Sequence, residues 1–152
     1  MINKDTIYEH LGHTKFIKEN FMPIVNRESW NKPEGGLWAS PVNSVNGWRQ
    51  WIDVNEFHLD KYALDSFTFK LKDFSKILII DNASKITDDM LTGEDNDFIR
   101  TLHIKILDFE KLSENYDAIL ILISEDNKLY WDLYGWDCDT LLVLNPDAVE
   151  EL

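Results

Sequence analysis

One cysteine, four prolines, six glycines and no long apolar run set the limits within which this 152-residue chain folds. With Cys138 alone an internal disulfide is impossible, which suits a reducing compartment and leads to a cytoplasmic expectation. The longest apolar stretches, Ile77–Ile80 and Ala118–Ile123, fall far short of the roughly 20 residues a bilayer crossing needs, so no membrane association is expected. The opening residues, MINKDTIYEHLGH, hold no apolar stretch of signal-peptide length and carry acids early, which argues against export. Basic residues are scarce as well: 15 Lys and Arg stand against 28 Asp and Glu, a formal net charge of −13. Such a field repels phosphate backbones, so nucleic acid is not the expected partner. The charge leaves two readings open, plain solubility or the covering of a basic protein partner.

What is present is globular. Hydrophobic residues make up 44% and aromatics 12%, a content that disordered chains do not reach. The length suits one core without staples, and no internal repeat or linker-like stretch divides it, so residues 1–152 are read as a single domain.

Spacing predicts the elements. Thr14–Val25 places Phe16, Ile17, Phe21, Ile24 and Val25 near helical spacing, with Pro23 as a stop. Asn26–Gly36 is a loop, Leu37–Ser40 a short strand closed by Pro41, and Ser44–Phe57 a helix opening near Val45 or Asn46. Phe67, Phe69 and Leu71 alternate within a strand over Ser66–Lys72, and Lys76–Asp81 is a β-branched run read as its neighbour. A helical stretch interrupted near Gly93 is expected within Thr87–Thr101, and a short helix over Asp108–Asn115. Ala118–Ile123, Leu129–Tyr134 and Thr140–Leu144 read as strands, the last ending at the Asn145-Pro146 turn. Helices early and strands late give an α+β class rather than regular βαβ alternation.

Several chemistries are tested and set aside. His10, His13, His58 and His103 accompany many carboxylates, but there is no HExxH, no second cysteine and no calcium-loop pattern, so no metal is expected. Cys138 lies between Asp137 and Asp139, whose charges disfavour a thiolate, and reads as a core residue. Gly35-Gly36 lacks the Lys-Ser/Thr or third glycine of a phosphate loop. Two features remain. Asp137 and Asp139, two apart, would present paired carboxylates if they lie in a strand. The segment Lys32–Trp51 concentrates Gly and Trp, a combination that lets a backbone approach and an indole stack on a flat ring; each tryptophan taken alone serves equally well as core.

In this order the pieces resemble the ADP-ribosyltransferase fold, in the His-Tyr-Glu branch that includes poly(ADP-ribose) polymerases and diphtheria-type toxins. His10-Leu-Gly12 is similar to the His and Gly of its first strand. Gly36-Leu-Trp-Ala-Ser40 with Ser44 and Trp48 or Trp51 is similar to its second motif. Asp139-Thr-Leu-Leu-Val-Leu144 is similar to its late acidic strand, with Asn145-Pro146-Asp147 and Tyr116-Asp-Ala118 also matching toxin-like members. Two positions depart: Trp38 stands for the tyrosine, and Asp139, one methylene shorter, for the glutamate.

The resemblance implies a split β-sheet core with peripheral helices, NAD⁺ as substrate without a metal, and transfer of ADP-ribose to a protein target by a toxin or phage-type effector. By it, His10 would hold the ribose and Gly12 the carboxamide through its backbone. Trp38 with Trp48 or Trp51 would hold the ring, and Ser40 and Ser44 would belong to the cofactor site. Asp139 would face the reacting ribose and Asp137 would orient the acceptor. Shortening the acid by a methylene endangers turnover, because misplacement near 1 Å costs about a hundredfold in rate. A transferase fold that binds NAD⁺ without turnover, and a non-catalytic acidic binding protein such as an immunity protein, antitoxin or inhibitor, are the competing expectations.

Overall fold

The computed structural model describes residues 2–57 and 65–152. Its strands are β1 (Tyr8–Leu11), β2 (Leu37–Pro41), β3 (Ser66–Leu71), β4 (Ile77–Ile80), β5 (Ala118–Ile121), β6 (Thr140–Val143) and β7 (Val149–Glu151). The helices are α1 (Trp48–Asn55), α2 (Asp97–Leu102), α3 (Phe109–Ser113) and α4 (Asn127–Asp132). The strands form one mixed sheet in the order β4-β5-β6-β2-β1-β3-β7, and with the four helices the fold is α+β.

The central strands are apolar throughout because both faces of the sheet are covered. Side chains alternate along a strand, so Ile119, Ile121 and Leu142 enter one core with Leu129, Leu133 and Trp136. Ala118, Leu120, Leu141 and Val143 enter the other with Tyr8, Phe69 and Ala148. β4 and β5 run parallel, which requires a crossover, and residues 81–117 supply it with α2 and α3. Side chains cap these short helices: Asn96 accepts from the Ile99 amide, Asp108 from Lys111 and Asp126 from Lys128. Among the described residues no helix is long and apolar enough to cross a membrane.

The junction of β1 with β2 positions the site. Their register covers only Tyr8 with Pro41 and Glu9 with Ser40, whereas β1 follows β3 over its full length and β2 follows β6 over Leu37–Ala39. Beyond Glu9 the two strands part company, and the sheet opens between His10 and Trp38.

Several expected elements differ. Residues 14–25 form no α-helix; a single 3-10 turn at Lys18–Asn20 interrupts an extended course, and Phe16 and Phe21 pack against the second core. Leu129–Tyr134 is not extended: Leu129–Asp132 closes α4 and Leu133–Tyr134 turn out of it, with Leu129 and Leu133 both buried at i, i+4. The β3 and β4 strands are not neighbours; four strands separate them, because β3 pairs with β1 and β7 while β4 pairs with β5. In the 87–101 stretch a 3-10 turn at Asp88–Met90 and α2 flank Gly93, whose φ of +79° breaks the run. Asp137 and Asp139 precede β6 instead of lying in a strand, so the alternation that would align their carboxylates does not apply. Three of the four described helices follow residue 96, reversing the expected order of helices and strands.

Candidate functional site

The parted strands β1 and β2, the loop before β2, α1 and the turn before β6 enclose a cleft of about 520 Å³. Its walls include His10, Gly12 and His13 from β1 and its end, and Trp38 from β2. Trp48 comes from the first residue of α1, and Trp136, Asp137, Cys138 and Thr140 from the approach to β6 and its start. This volume is in the range of small-molecule sites.

Aromatic groups shape it. Trp38 and Trp136 lie with ring centroids 5.3 Å apart at 40°, and the Trp38 indole N–H donates to the Gly35 carbonyl at 3.0 Å. Trp136 is only 1% exposed, and its indole N–H donates to the Asn31 carbonyl. Asn31, itself buried, donates to the Lys105 carbonyl and accepts from the Leu107 amide at 2.9 Å, which fixes the loop before β2 to the crossover. Gly35 and Gly36 are left-handed, with φ of +82° and +73°, and let that loop turn tightly beneath Trp38. On the far wall Trp48 stacks on Trp51 at 4.9 Å and 9°, so Trp51 backs Trp48 and does not line the cleft.

His10 carries a defined tautomer. Its Nδ1 is 2.7 Å from the Trp38 carbonyl oxygen, an acceptor only, so Nδ1 bears the proton. In the neutral ring Nε2 then accepts from His13 Nδ1 at 2.8 Å. Burial holds the His10 pKa below 6.5, against the opposing pull of the Trp38 carbonyl, and the neighbouring His13 lowers it further. The Gly12 amide donates to the Asp65 carbonyl at 2.8 Å, and its own carbonyl has no backbone donor among the described residues.

The residues singled out in the sequence divide into two sets. His10, Gly12, Trp38, Trp48 and Asp137 line the cleft. Ser40, Ser44 and Asp139 bond to one another behind it. Ser40 Oγ donates to the Asp139 carbonyl at 2.7 Å and accepts from the Trp48 amide at 2.9 Å, capping α1 from a neighbouring strand. The Asp139 carboxylate, in a residue 6% exposed, accepts from Ser44 Oγ at 2.9 Å and from the Ser124 amide and hydroxyl at 3.1 and 2.9 Å. Asp137 instead stands 4.0 Å from Lys32 Nζ.

Sequence reasoning did not select Lys32, Trp136 or Thr140, and read Cys138 only as core. The signal for Trp136 was adjacency to Asp137; that for Lys32 was its place at the head of the Gly- and Trp-rich segment. Burial and the flanking acids push the Cys138 thiol up to about 11, against the Thr140 hydroxyl and Lys32, so the thiol is protonated near neutrality. Among the described residues no group of three or more His, Cys, Asp or Glu is placed to hold a metal ion, and His58 lies outside the described residues. No protein-family model, curated protein or solved structure matches this chain.

Proposed function

We propose that the protein binds NAD⁺ in this cleft and transfers its ADP-ribosyl group to a protein acceptor. The observation that carries the reading is the meeting of His10, Gly12 and Trp38, selected from separate parts of the sequence, at one aromatic-walled cleft. The indole faces of Trp38 and Trp48 suit the nicotinamide ring, and the Gly12 carbonyl suits the amide N–H of its carboxamide. His10 Nε2 is an acceptor, so a ribose hydroxyl donates to it and takes the place of His13.

In the transfer, the bond from ribose C1′ to the nicotinamide nitrogen breaks and nicotinamide leaves with the electron pair. The acceptor nucleophile bonds C1′ and gives its proton to water, and the positive charge at C1′ in between calls for a carboxylate. Among the described residues Asp137 is the acid in the lining and takes that role; Asp139 seats the turn that carries Asp137 and Cys138.

Pure protein incubated with NAD⁺ is expected to melt at higher temperature and to release nicotinamide, and Asp137→Asn is expected to abolish release while keeping the thermal shift. Neither shift nor release would remove the reading. A second reading, NAD⁺ binding without turnover, is favoured because Asp139, the acid that the resemblance would set at the reacting ribose, is occupied behind the cleft by three donors, the Ser44 hydroxyl and the Ser124 amide and hydroxyl. A thermal shift without release in the wild type selects it.

A further inference from the structure

The cleft departs from the charge of the chain around it. Overall the chain carries −13, yet among the described residues a single acid, Asp137, lines the cleft beside Lys32, His10 and His13. Lys32 and Asp137 stand 4.0 Å apart, at the outer edge of an ion pair, and both side chains are over a third exposed, 39% and 35%. A pair this loose leaves ammonium donors for a ligand. His13 bonds His10 through Nδ1 at 2.8 Å, and a ribose hydroxyl that takes over that bond releases the His13 ring for the rest of the ligand. In a field that repels anions elsewhere, phosphate is admitted only where cationic donors offset it locally.

We propose that Lys32 and His13 form a phosphate-recognition pair at the cleft, which makes its ligand a phosphorylated nucleoside rather than a free base or nucleoside. The proposal takes the stacking half of the ligand from the reading above and adds the phosphate half from these two residues. The lysine supplies charge and up to three donors, and the imidazole supplies a ring N–H.

Titration calorimetry with nicotinamide mononucleotide and nicotinamide riboside, which differ by one phosphate, tests it. Wild type is expected to bind the phosphorylated compound about tenfold tighter or more. In Lys32→Gln and in His13→Gln that ratio is expected to fall toward one, while Lys32→Arg restores it and Lys85→Gln, away from the cleft, leaves it as in wild type. A wild-type ratio near one, or a ratio unchanged in either glutamine variant, overturns the proposal. If neither nicotinamide compound binds, the nicotinamide reading fails, and adenosine monophosphate against adenosine decides the phosphate proposal alone. A Lys32-dependent preference for the monophosphate then upholds it, and the lack of one overturns it.

Discussion

His10 Nδ1 meets the carbonyl oxygen of Trp38 at 2.7 Å where β1 and β2 part. A side chain thereby makes the cross-strand bond at the mouth of the cleft, and the imidazole is held in one tautomer and one orientation. Because burial favours the neutral ring, the folded state takes up a proton at His10 less readily than the unfolded chain. Stability from this group is complete above the ordinary pKa of 6.5 and is lost as pH falls from there toward the depressed folded value. Urea midpoints measured from pH 7 to pH 5 are expected to fall in the wild type, with a shallower fall in His10→Gln. Ring-nitrogen NMR is expected to show the Nδ1–H tautomer at neutral pH; an Nε2–H signal from His10 would contradict the assignment.

Asp139 is predicted to act through structure first. Removing its carboxylate in Asp139→Ala leaves Ser44 and Ser124 without their acceptor, a loss of about 1–3 kcal/mol in unfolding free energy. Asp139→Asn keeps an acceptor oxygen and the size of the group, so its loss is expected to be the smaller of the two. Denaturant unfolding of both variants gives the comparison, and an alanine variant as stable as wild type would show that the network does not anchor this wall.

The two glycines with nearly equal φ, Gly35 at +82° and Gly93 at +79°, separate steric from conformational cost. A Cβ on Gly35 would lie 2.1 Å from the Pro23 carbonyl oxygen and 2.6 Å from that of Met22, whereas one on Gly93 meets nothing within 4 Å. Gly93→Ala is expected to cost about 1–2 kcal/mol from the left-handed backbone alone. Gly35→Ala adds a clash with backbone and is expected to cost roughly 2–5 kcal/mol. It should also disturb Trp38, which bonds the Gly35 carbonyl, and near-ultraviolet dichroism would register that. Equal losses in the two variants would rule out the steric account.

The strands that were legible in the sequence are those whose side chains face a core on a fixed period. Phe67, Phe69 and Leu71 show half burial by alternation, and Ala118–Ile121 shows burial on both faces by an unbroken apolar run. Leu129–Tyr134 misled because alternation and i, i+4 spacing coincide over six residues, while Asp126 as a cap and the Leu129–Leu133 pair carried the helical answer. Thr14–Val25 misled because tertiary packing of Phe16 and Phe21 overrides a weak local helical preference. Which strands pair is non-local, so the separation of β3 from β4 left no trace in either segment. The same holds for the cleft. Gly and Trp marked the loop and β2, but Trp136 enters only because the turn after α4 folds over Asn31. Asp137 and Asp139 separate only because one side chain meets Lys32 and the other two serines.

Tyr8 offers a prediction with the opposite sign from most core substitutions. It is 1% exposed, and its hydroxyl finds no hydrogen-bond partner among the described residues. A hydroxyl in that position forgoes its bonds to water without replacement, so its removal is expected to leave stability unchanged or to raise it by up to about 1–2 kcal/mol. The ring itself is retained in Tyr8→Phe, including its tilted contact with Phe69 at 5.9 Å. Burial also pushes the Tyr8 hydroxyl up to about 12 from 10.0, so the unfolded chain ionises first. The corresponding stability is present below pH 10 and is lost as pH rises through the interval up to about 12. Tyr8→Phe should therefore gain on the wild type between those values or, at the least, lose less steeply with rising pH. Urea unfolding at pH 7 and across the alkaline range measures both effects, and a variant weaker than wild type at pH 7 by about 1 kcal/mol or more would mean that the hydroxyl has a partner in solution, such as a buried water.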